Sequence, residues 1–161
     1  MENKIIIGSD HAAFPLKENL KHFLEKKGFC VTDIGAFSEE SVHYPNIAVK
    51  VAQAISSSSF SQGILLCGTG QGMTMVANRF PRVRASLCND LFSAIMARRH
   101  NNANILTMGG RMLSPFLAQT ILETWLNTSF EGGRHEERLQ MFEVLDVTPD
   151  SQNDPVGSYK I

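Results

Sequence analysis

The chain has 161 residues, of which 43% are apolar and 19% are charged. These proportions are typical of one globular domain and exclude a disordered or fibrous chain. With 15 basic and 16 acidic residues, the formal net charge is -1. There is no basic block or interleaving of basic and aromatic residues, so nucleic acid is not an expected partner.

The sequence carries no run of about 18 apolar residues, so we expect no membrane-spanning segment. The N-terminus leads directly into a short apolar strand and lacks the features of a signal peptide. Three cysteines, Cys30, Cys67 and Cys88, are too few and too scattered for a disulfide framework, and none are paired at zinc-ligand spacing. We therefore expect a reduced, cytoplasmic protein without a metal site.

Short apolar runs alternate with helical patterns along the chain. The predicted strands are residues 4–8, 30–35, 63–67, 83–88 and 105–108. The predicted helices are residues 15–27, 45–55, 72 onward, 91–99, 115–127 and 134–145, with prolines or capping residues at several of their starts.

Strands separated by helices predict a parallel sheet with helices on both faces. The fold class is therefore α/β, a three-layer, doubly wound sheet. We expect one domain over residues 1–146 and a C-terminal tail over 147–161. In such sheets ligands bind beyond the carboxyl ends of the strands, so the residues that follow each strand are the candidates.

A glycine-rich turn, Cys67-Gly68-Thr69-Gly70-Gln71-Gly72, follows the third strand. Glycines at alternate positions let backbone N–H groups converge on an anion. The turn lacks the Lys-Ser/Thr pair of a nucleotide-binding P-loop, and its spacing is not that of a dinucleotide fingerprint. It is typical of a backbone cradle for an oxyanion with a thiol at its edge. The alternative is a tight strand-to-helix turn with a buried cysteine.

The thiol of Cys67 is a candidate proton acceptor, with Thr69 beside it, because a thiol near a helix N-terminus is readily used as a thiolate. An inert buried thiol is the alternative. For Cys30 and Cys88, which lie inside strand patterns, we predict inert core thiols. The methionines are predicted to serve packing rather than chemistry: Met73, Met75, Met96, Met108, Met112 and Met141.

Histidines and arginines supply the remaining candidates. His11 and His100 both fall where the backbone turns, and each could move a proton or simply cap a turn at the surface. Arg134 and Arg138 are four residues apart and share a helix face. With Arg111 they could hold a phosphate, although a solvated face balanced by neighbouring glutamates is the alternative.

Several segments together resemble ribose-5-phosphate isomerase type B, in the ribose/galactose/allose phosphate isomerase family. The resemblance covers residues 4–145, and the ordered set of motifs is highly specific. They are Gly8-Ser9-Asp10-His11-Ala12, Tyr44-Pro45, Cys67-Gly68-Thr69-Gly70-Gln71-Gly72, Ala77-Asn78, Arg99-His100-Asn101, Gly109-Gly110-Arg111 and Glu131-Gly132-Gly133-Arg134-His135.

The resemblance implies a cofactor-independent aldose–ketose isomerase that interconverts ribose 5-phosphate and ribulose 5-phosphate. It also implies a Rossmann-like α/β/α sandwich with five parallel strands in the order 2-1-3-5-4. Family members are homodimers, or dimers of dimers, whose active sites take residues from both subunits. We therefore expect a homodimer or homotetramer with shared sites.

The same resemblance assigns roles to individual residues. Cys67 is implied as the base that moves a proton between C1 and C2, with Thr69 assisting at the oxygens. His100, with Asp10 nearby, is implied as the group that opens the furanose ring. The implied substrate-binding residues are Gly68, Gly70 and Gly72 for the enediolate, Asn101 for sugar hydroxyls, and His11, Arg111, Arg134 and Arg138 for the phosphate.

Two positions separate this chain from other family members. Some members lack the cysteine and carry a glutamate base where Met73 stands here, so an active enzyme of this sequence must use Cys67. His43 stands where the family more often has Asp, which changes contacts at the rim of the pocket.

Three alternatives share the same residues. A galactose-6-phosphate or allose-6-phosphate isomerase would use identical chemistry on a longer sugar. A non-catalytic phosphosugar-binding module would need the arginines but not the thiol. A nucleotide-binding domain is disfavoured, because the P-loop lysine and an acidic ribose partner are missing.

Overall fold

The computed structural model describes residues 4–143, which form a five-stranded sheet between layers of helices. The strands are β1 (Lys4–Ser9), β2 (Cys30–Asp33), β3 (Gly63–Cys67), β4 (Ala85–Leu87) and β5 (Ile105–Gly109). A 3-10 turn at His11–Ala13 precedes α1 (Phe14–Lys26), and the other helices are α2 (Tyr44–Ser56), α3 (Gln71–Ala77), α4 (Leu91–Arg99), α5 (Pro115–Asn127) and α6 (Arg134–Glu143).

The five strands are hydrogen-bonded in the order β2-β1-β3-β5-β4, and every neighbouring pair is parallel. The predicted α/β class, strand number and strand order are all confirmed. The bounds of β3 match the prediction, whereas β2 and β4 are shorter than predicted. The predicted end of the last helix at residue 145 and the tail at 147–161 lie outside the described residues.

Local signals account for the starts of several helices. Proline lies in the first turn of α1, α2 and α5, where its missing N–H leaves no helical bond unmade. The side chain of Asp90 accepts the Ser93 N–H at 2.8 Å and caps α4, and Ser114 caps α5 in the same way. Within the described range, no helix is both long and apolar enough to cross a membrane.

Successive residues of the strands point to opposite faces of the sheet and belong to two separate hydrophobic cores. One face of the sheet packs against α1, α4 and α5, with Trp125 as its largest side chain. The other face packs against α2 and α3, and this second core includes Cys67 and Met73. The predicted three-layer arrangement is thus confirmed, and Cys67 belongs to the core on the side of α2 and α3.

The prediction that Cys30 is a core thiol is wrong, because its side chain is exposed. It begins β2, which pairs only with β1 at the edge of the sheet and alternates exposed and half-buried residues. Cys88 is buried as predicted, and burial raises the pKa of its thiol. Of the three thiols, Cys30 is thus the one open to solvent.

The methionines, predicted to serve packing rather than chemistry, are packed inside the protein in only part of the set. Met73 and Met108 are fully buried. By contrast, Met75, Met112 and Met141 are between 60% and 69% exposed. An apolar side chain at a helical spacing can face solvent or a second chain, and the spacing alone does not distinguish the two.

A buried ion pair ties α1 to the end of β2. The ammonium of Lys17 is fully buried and lies 2.5 Å from Oδ2 of Asp33. It also lies 5.4 Å from the ring centres of Phe14 and Phe37. Burial opposes the charged form of Asp33, but hydrogen bonds from Lys17, the Gly35 N–H and Lys21 outweigh it and hold the pKa of Asp33 below its ordinary value.

Replacing Lys17 should destabilise the protein strongly, because Lys17→Met leaves the buried Asp33 carboxylate without its main partner. We expect a loss of about 3–5 kcal/mol in the free energy of unfolding, measured by urea denaturation. Lys21→Met is the matched control, since Lys21 also bonds Asp33, at 3.3 Å, but is 30% exposed. It should cost about 1 kcal/mol or less. Equal losses in the two variants would contradict this account.

The contribution of Asp33 should depend on pH in a definite direction. Because its folded pKa lies below the ordinary value of 3.8, its stabilisation is present above that value and is lost as the pH falls through the folded pKa. We expect the difference in unfolding free energy between wild type and Asp33→Asn to be constant near neutral pH. It should shrink below about pH 4. A difference that stays constant into that acid range would refute the assignment.

Candidate functional site

Three loops meet at the carboxyl edge of the sheet, where β1, β3 and β5 end. The Gly110 N–H donates to the Cys67 carbonyl at 2.8 Å, and the Arg111 N–H donates to the Gly68 carbonyl at 3.1 Å. The Asp10 N–H donates to the Leu66 carbonyl at 3.0 Å. The residues predicted after these three strands are therefore brought together.

Cys67 is the last residue of β3 and its side chain is 6% exposed. Its sulfur accepts the Gly70 N–H at 3.1 Å. A backbone N–H is thus held against the sulfur, where it can donate a hydrogen bond to a thiolate. The arrangement therefore suits Cys67 for accepting and returning a proton.

The glycine-rich turn needs glycine at position 70. Gly70 has a left-handed φ of 82°, and an added Cβ would lie 2.5 Å from Cδ1 of Leu87 and 2.9 Å from the Met108 carbonyl carbon. The amides of the first turn of α3 have no acceptor within their own helix. One of them, the Gln71 N–H, reaches Oγ1 of Thr69 at 3.4 Å. The turn thus presents backbone donors beside the thiol.

Two side chains border this turn. The ring of Tyr44 covers Gly72, where an added Cβ would lie 2.7 Å from Cζ and 3.0 Å from the hydroxyl oxygen of the tyrosine. The side chain of Arg111 lies over Gly68, 3.4 Å from the position of an added Cβ. A hydroxyl and a guanidinium therefore frame the backbone donors.

Asp10 and His11 follow β1 on the same edge. Oδ1 of Asp10 accepts the Ala12 N–H at 3.0 Å and the Ala13 N–H at 3.2 Å, so it fixes the 3-10 turn. Nδ1 of His11 accepts the Val42 N–H at 3.3 Å. This contact leaves Nε2 of His11 as the nitrogen that can donate to an anion.

His100 lies at the opposite, amino edge of the sheet. It follows α4, which returns from the carboxyl edge, and it precedes β5. Four residues later, the Asn104 carbonyl accepts the N–H of Gly63, the first residue of β3. A five-residue strand is about 16 Å long, so His100 and Cys67 are separated by the whole sheet within one chain.

The expectation that Asp10 lies near His100 therefore fails within a single chain. The ring of His100 instead lies beside Glu131, whose Oε2 is 3.5 Å from Nε2 of the histidine. The same carboxylate oxygen lies 3.6 Å from Nε2 of His135. The two imidazole rings stack, with centroids 4.1 Å apart and planes inclined by 8°.

These three side chains have the composition of a metal site, and their ligand atoms lie within 4.8 Å of one another. The stacking argues against that use. A metal bonds an imidazole nitrogen in the plane of the ring. Two nearly parallel rings at 4.1 Å cannot both hold one ion in plane. The arrangement of His100, Glu131 and His135 therefore favours two stacked rings beside a shared carboxylate.

The other predicted binding residues lie on the same amino edge as His100. Asn101 is exposed and lines a cavity of about 750 Å³ together with Arg79, Arg82 and Phe142. Arg134 and Arg138 are exposed on α6. The predicted site is thus split, with one set of residues at each edge of the sheet: Asp10, His11, Cys67, Gly68, Thr69, Gly70, Gly72 and Arg111 at the carboxyl edge, and His100, Asn101, Arg134 and Arg138 at the amino edge.

Sequence reasoning gave no role to Tyr44, Glu131 or His135, although all three occur in the motifs of the resemblance. Nothing in the local pattern indicates that Tyr44 covers Gly72, because 27 residues lie between them in the chain. The four-residue spacing of Glu131 and His135 gave no usable signal, because Glu131 precedes α6 and the left-handed Gly132 and Gly133 lie between them. His43 begins α2 without a side-chain capping bond, which the aspartate more usual at that position could supply.

The chain matches the family model described as Ribose/Galactose Isomerase over residues 5–142. A solved structure of a ribose 5-phosphate isomerase from Thermotoga maritima is 52% identical, with a TM-score of 0.86, and the match covers 89% of this chain and 99% of that one. The ribose-5-P isomerase B of Listeria innocua is 42% identical over 89% of this chain and 97% of that protein.

A third relative is similar to the same degree but bears a different name. The D-erythrulose-4-phosphate isomerase of Pectobacterium atrosepticum is 44% identical over 80% of this chain and 86% of that protein. Sequence identity alone therefore does not separate the five-carbon from the four-carbon substrate.

Substituting Gly70 should destabilise the turn, whereas substituting Gly68 should not. Gly70→Ala forces a left-handed alanine against Leu87 and the backbone at Met108, and we expect a loss of about 2 kcal/mol or more in unfolding free energy. Gly68→Ala is the control, because its added Cβ meets only the flexible side chain of Arg111 at 3.4 Å. It should cost less than about 1 kcal/mol. A tolerated Gly70→Ala would show that the turn is less constrained than described.

Proposed function

The chain belongs to the ribose/galactose isomerase family, and we propose that it interconverts ribose 5-phosphate and ribulose 5-phosphate with Cys67 as the base. The observation that carries the role of Cys67 is its buried thiol, held 3.1 Å from the Gly70 N–H at the end of β3. The reaction needs a base near C2, a place for negative charge and a way to open the sugar ring.

In the proposed chemistry the Cys67 thiolate removes the proton from C2 of the open-chain aldose. The electron pair moves into the C1–C2 bond, and the carbonyl electrons move onto O1 to give an enediolate. The backbone amides of residues 68–73 stabilise this charge. The Cys67 thiol then returns the proton to C1, Thr69 assists proton movement between the oxygens, and the ketose forms.

The side chain at position 73 supports this choice of base. Met73 occupies the place of the glutamate base in other members, and here it is fully buried in the core formed by α2 and α3. A thioether does not accept a proton at neutral pH. Proton transfer at carbon therefore falls to Cys67.

We further propose that a working site combines two copies of the chain. His11 and Arg111 lie with Cys67 at the carboxyl edge, whereas His100, with Asn101, lies at the amino edge of the same chain. A second copy packed in the reverse orientation would bring its amino edge, including Arg134 and Arg138, against the first copy's thiol. A two-fold dimer then contains two complete sites.

Exposed apolar side chains support such an interface. Five of them are at least 40% exposed on α3, α4 and the segment from β5 into α5: Met75, Leu91, Phe92, Met112 and Phe116. Covering apolar side chains of this size at a protein contact is favourable, because it removes apolar surface from water. The second copy also makes use of His100, which one chain alone leaves far from the thiol. A dimer of such dimers would add a further interface.

The proposal includes a cytoplasmic location, which the three unpaired thiols support. It is tested by assaying the purified protein on ribose 5-phosphate beside allose 6-phosphate, galactose 6-phosphate and erythrose 4-phosphate. Turnover that favours the pentose supports the proposal. Turnover of only a hexose or tetrose phosphate would keep the chemistry and change the substrate.

Replacing Cys67 should abolish turnover without unfolding the protein. We expect Cys67→Ala to lower kcat by about 10³-fold or more, since a general base contributes on this scale. Cys30→Ala is the control, because that thiol is exposed at the sheet edge, far from the turn, and its removal should leave the rate unchanged. Circular dichroism confirms the fold of each variant. Near-normal turnover of Cys67→Ala would refute its role as the base.

A further inference from the structure

We propose that Glu131 and His135 form a support that holds the imidazole of His100 in the orientation needed to open the sugar ring. This inference rests on the proposed function, in which His100 performs that step. Glu131 and His135 are positioning residues, because they act through His100 and not on the substrate.

The stacked ring of His135 is the first part of the support. It lies face to face with His100, with centroids 4.1 Å apart and planes inclined by only 8°. The side chain of His135 is 9% exposed, whereas that of His100 is 37% exposed. A buried ring thus fixes the plane of an accessible one, and the edge of His100 stays open to a ligand.

The carboxylate of Glu131 is the second part. Its Oε1 accepts a hydrogen bond from Nε of Arg99 at 2.6 Å, and its backbone N–H donates to the Arg99 carbonyl at 3.0 Å. The other oxygen, Oε2, lies 3.5 Å from Nε2 of His100 and 3.6 Å from Nε2 of His135. Since Arg99 directly precedes His100, the carboxylate is anchored to the same helix end that carries the imidazole.

The charge states of Glu131 and His135 are compatible with holding His100 in place. The hydrogen bond from Arg99 lowers the pKa of Glu131, so the carboxylate is ionised at neutral pH. Burial lowers the pKa of His135, and the positive charges of His100, Arg134 and Arg138 add to this while Glu131 opposes it. A neutral His135 can stack on His100 in either protonation state without charge repulsion.

The backbone between Glu131 and His135 folds so that both side chains can reach His100. Gly132 and Gly133 both have left-handed φ values, 67° and 57°. The His135 N–H donates to the Gly132 carbonyl at 3.1 Å. This tight turn brings the start of α6 back over Glu131, so that His135 and Glu131 meet the same imidazole.

The role of the support can be separated from general stability by the choice of substrate. Ribose 5-phosphate exists mainly as a closed furanose and needs its ring opened before proton transfer. A tetrose 4-phosphate cannot close a furanose, because its C4 oxygen carries the phosphate. A residue that acts only by orienting His100 should therefore matter for the pentose and not for the tetrose.

The experiment measures kcat/KM for ribose 5-phosphate and erythrose 4-phosphate in wild type, His135→Ala, Glu131→Gln and His135→Phe. His100→Ala is the reference for lost ring opening. His22→Ala is the control, since His22 is 69% exposed and faces Glu25 at 4.0 Å in a similar histidine–glutamate pair outside the site. Thermal unfolding and gel filtration confirm that each variant is folded and assembled.

We expect His135→Ala and Glu131→Gln to lose about 10- to 100-fold on the pentose, as His100 loses its orientation. The loss on the tetrose should stay below about threefold. His135→Phe keeps a flat ring for stacking and should recover most of the pentose activity. If wild type turns over the tetrose too slowly to be measured, the tetrose assay is replaced by a second assay. That assay measures incorporation of solvent deuterium at C1 of ribulose 5-phosphate. That ketose is also open-chain, because its C5 oxygen carries the phosphate.

The possible failures are distinguishable. Equal losses on both substrates, or no loss on either, in His135→Ala and Glu131→Gln would overturn the inference while the proposed function stands. If His100→Ala itself shows no selective loss on the pentose, the ring-opening role of His100 fails and the inference falls with it. If wild type isomerises neither sugar phosphate, the proposed function fails.

Discussion

Parallel strand–helix geometry is the constraint on which this molecule depends. Every strand delivers its carboxyl end to one edge of the sheet, and every following helix returns the chain to the other edge. Cys67 ends β3 and lies at the first edge, whereas His100 ends α4 and lies at the second. Side-chain rotation cannot bring them together within one chain, so the proposed chemistry, which uses both, calls for a second copy.

The two edges differ in how they present their functional groups. At the carboxyl edge the groups are largely backbone donors, held by a left-handed Gly70 and bordered by Tyr44 and Arg111. At the amino edge the groups are side chains, held by the stack of His100 on His135 and by the anchored Glu131. Proton transfer at carbon needs a fixed cradle for charge, and ring opening needs an oriented acid. In the proposed function, each edge performs one of these tasks.

The sequence predicts most of the fold because its signals are local. Prolines and capping residues mark the helix starts, and the apolar run at 63–67 with the glycines after it defines β3 and its turn. The exposure of Cys30 could not be predicted, because whether a strand is central or at an edge depends on pairing across the whole sheet. The position of His100 was predictable in principle, since a helix that follows a strand must end at the opposite edge. The contact of Glu131 and His135 with His100 could not be predicted, because it depends on how the chain after α5 packs against the end of α4.

The central claim is that Cys67 and His100 act on one substrate from two different chains. The most direct test mixes Cys67→Ala and His100→Ala, each nearly inactive alone on ribose 5-phosphate, and refolds them together. A mixed dimer then contains one site with both residues intact, and random pairing should restore about a quarter of the wild-type rate. Failure to recover activity in mixed dimers, confirmed by differential tagging, would contradict the account.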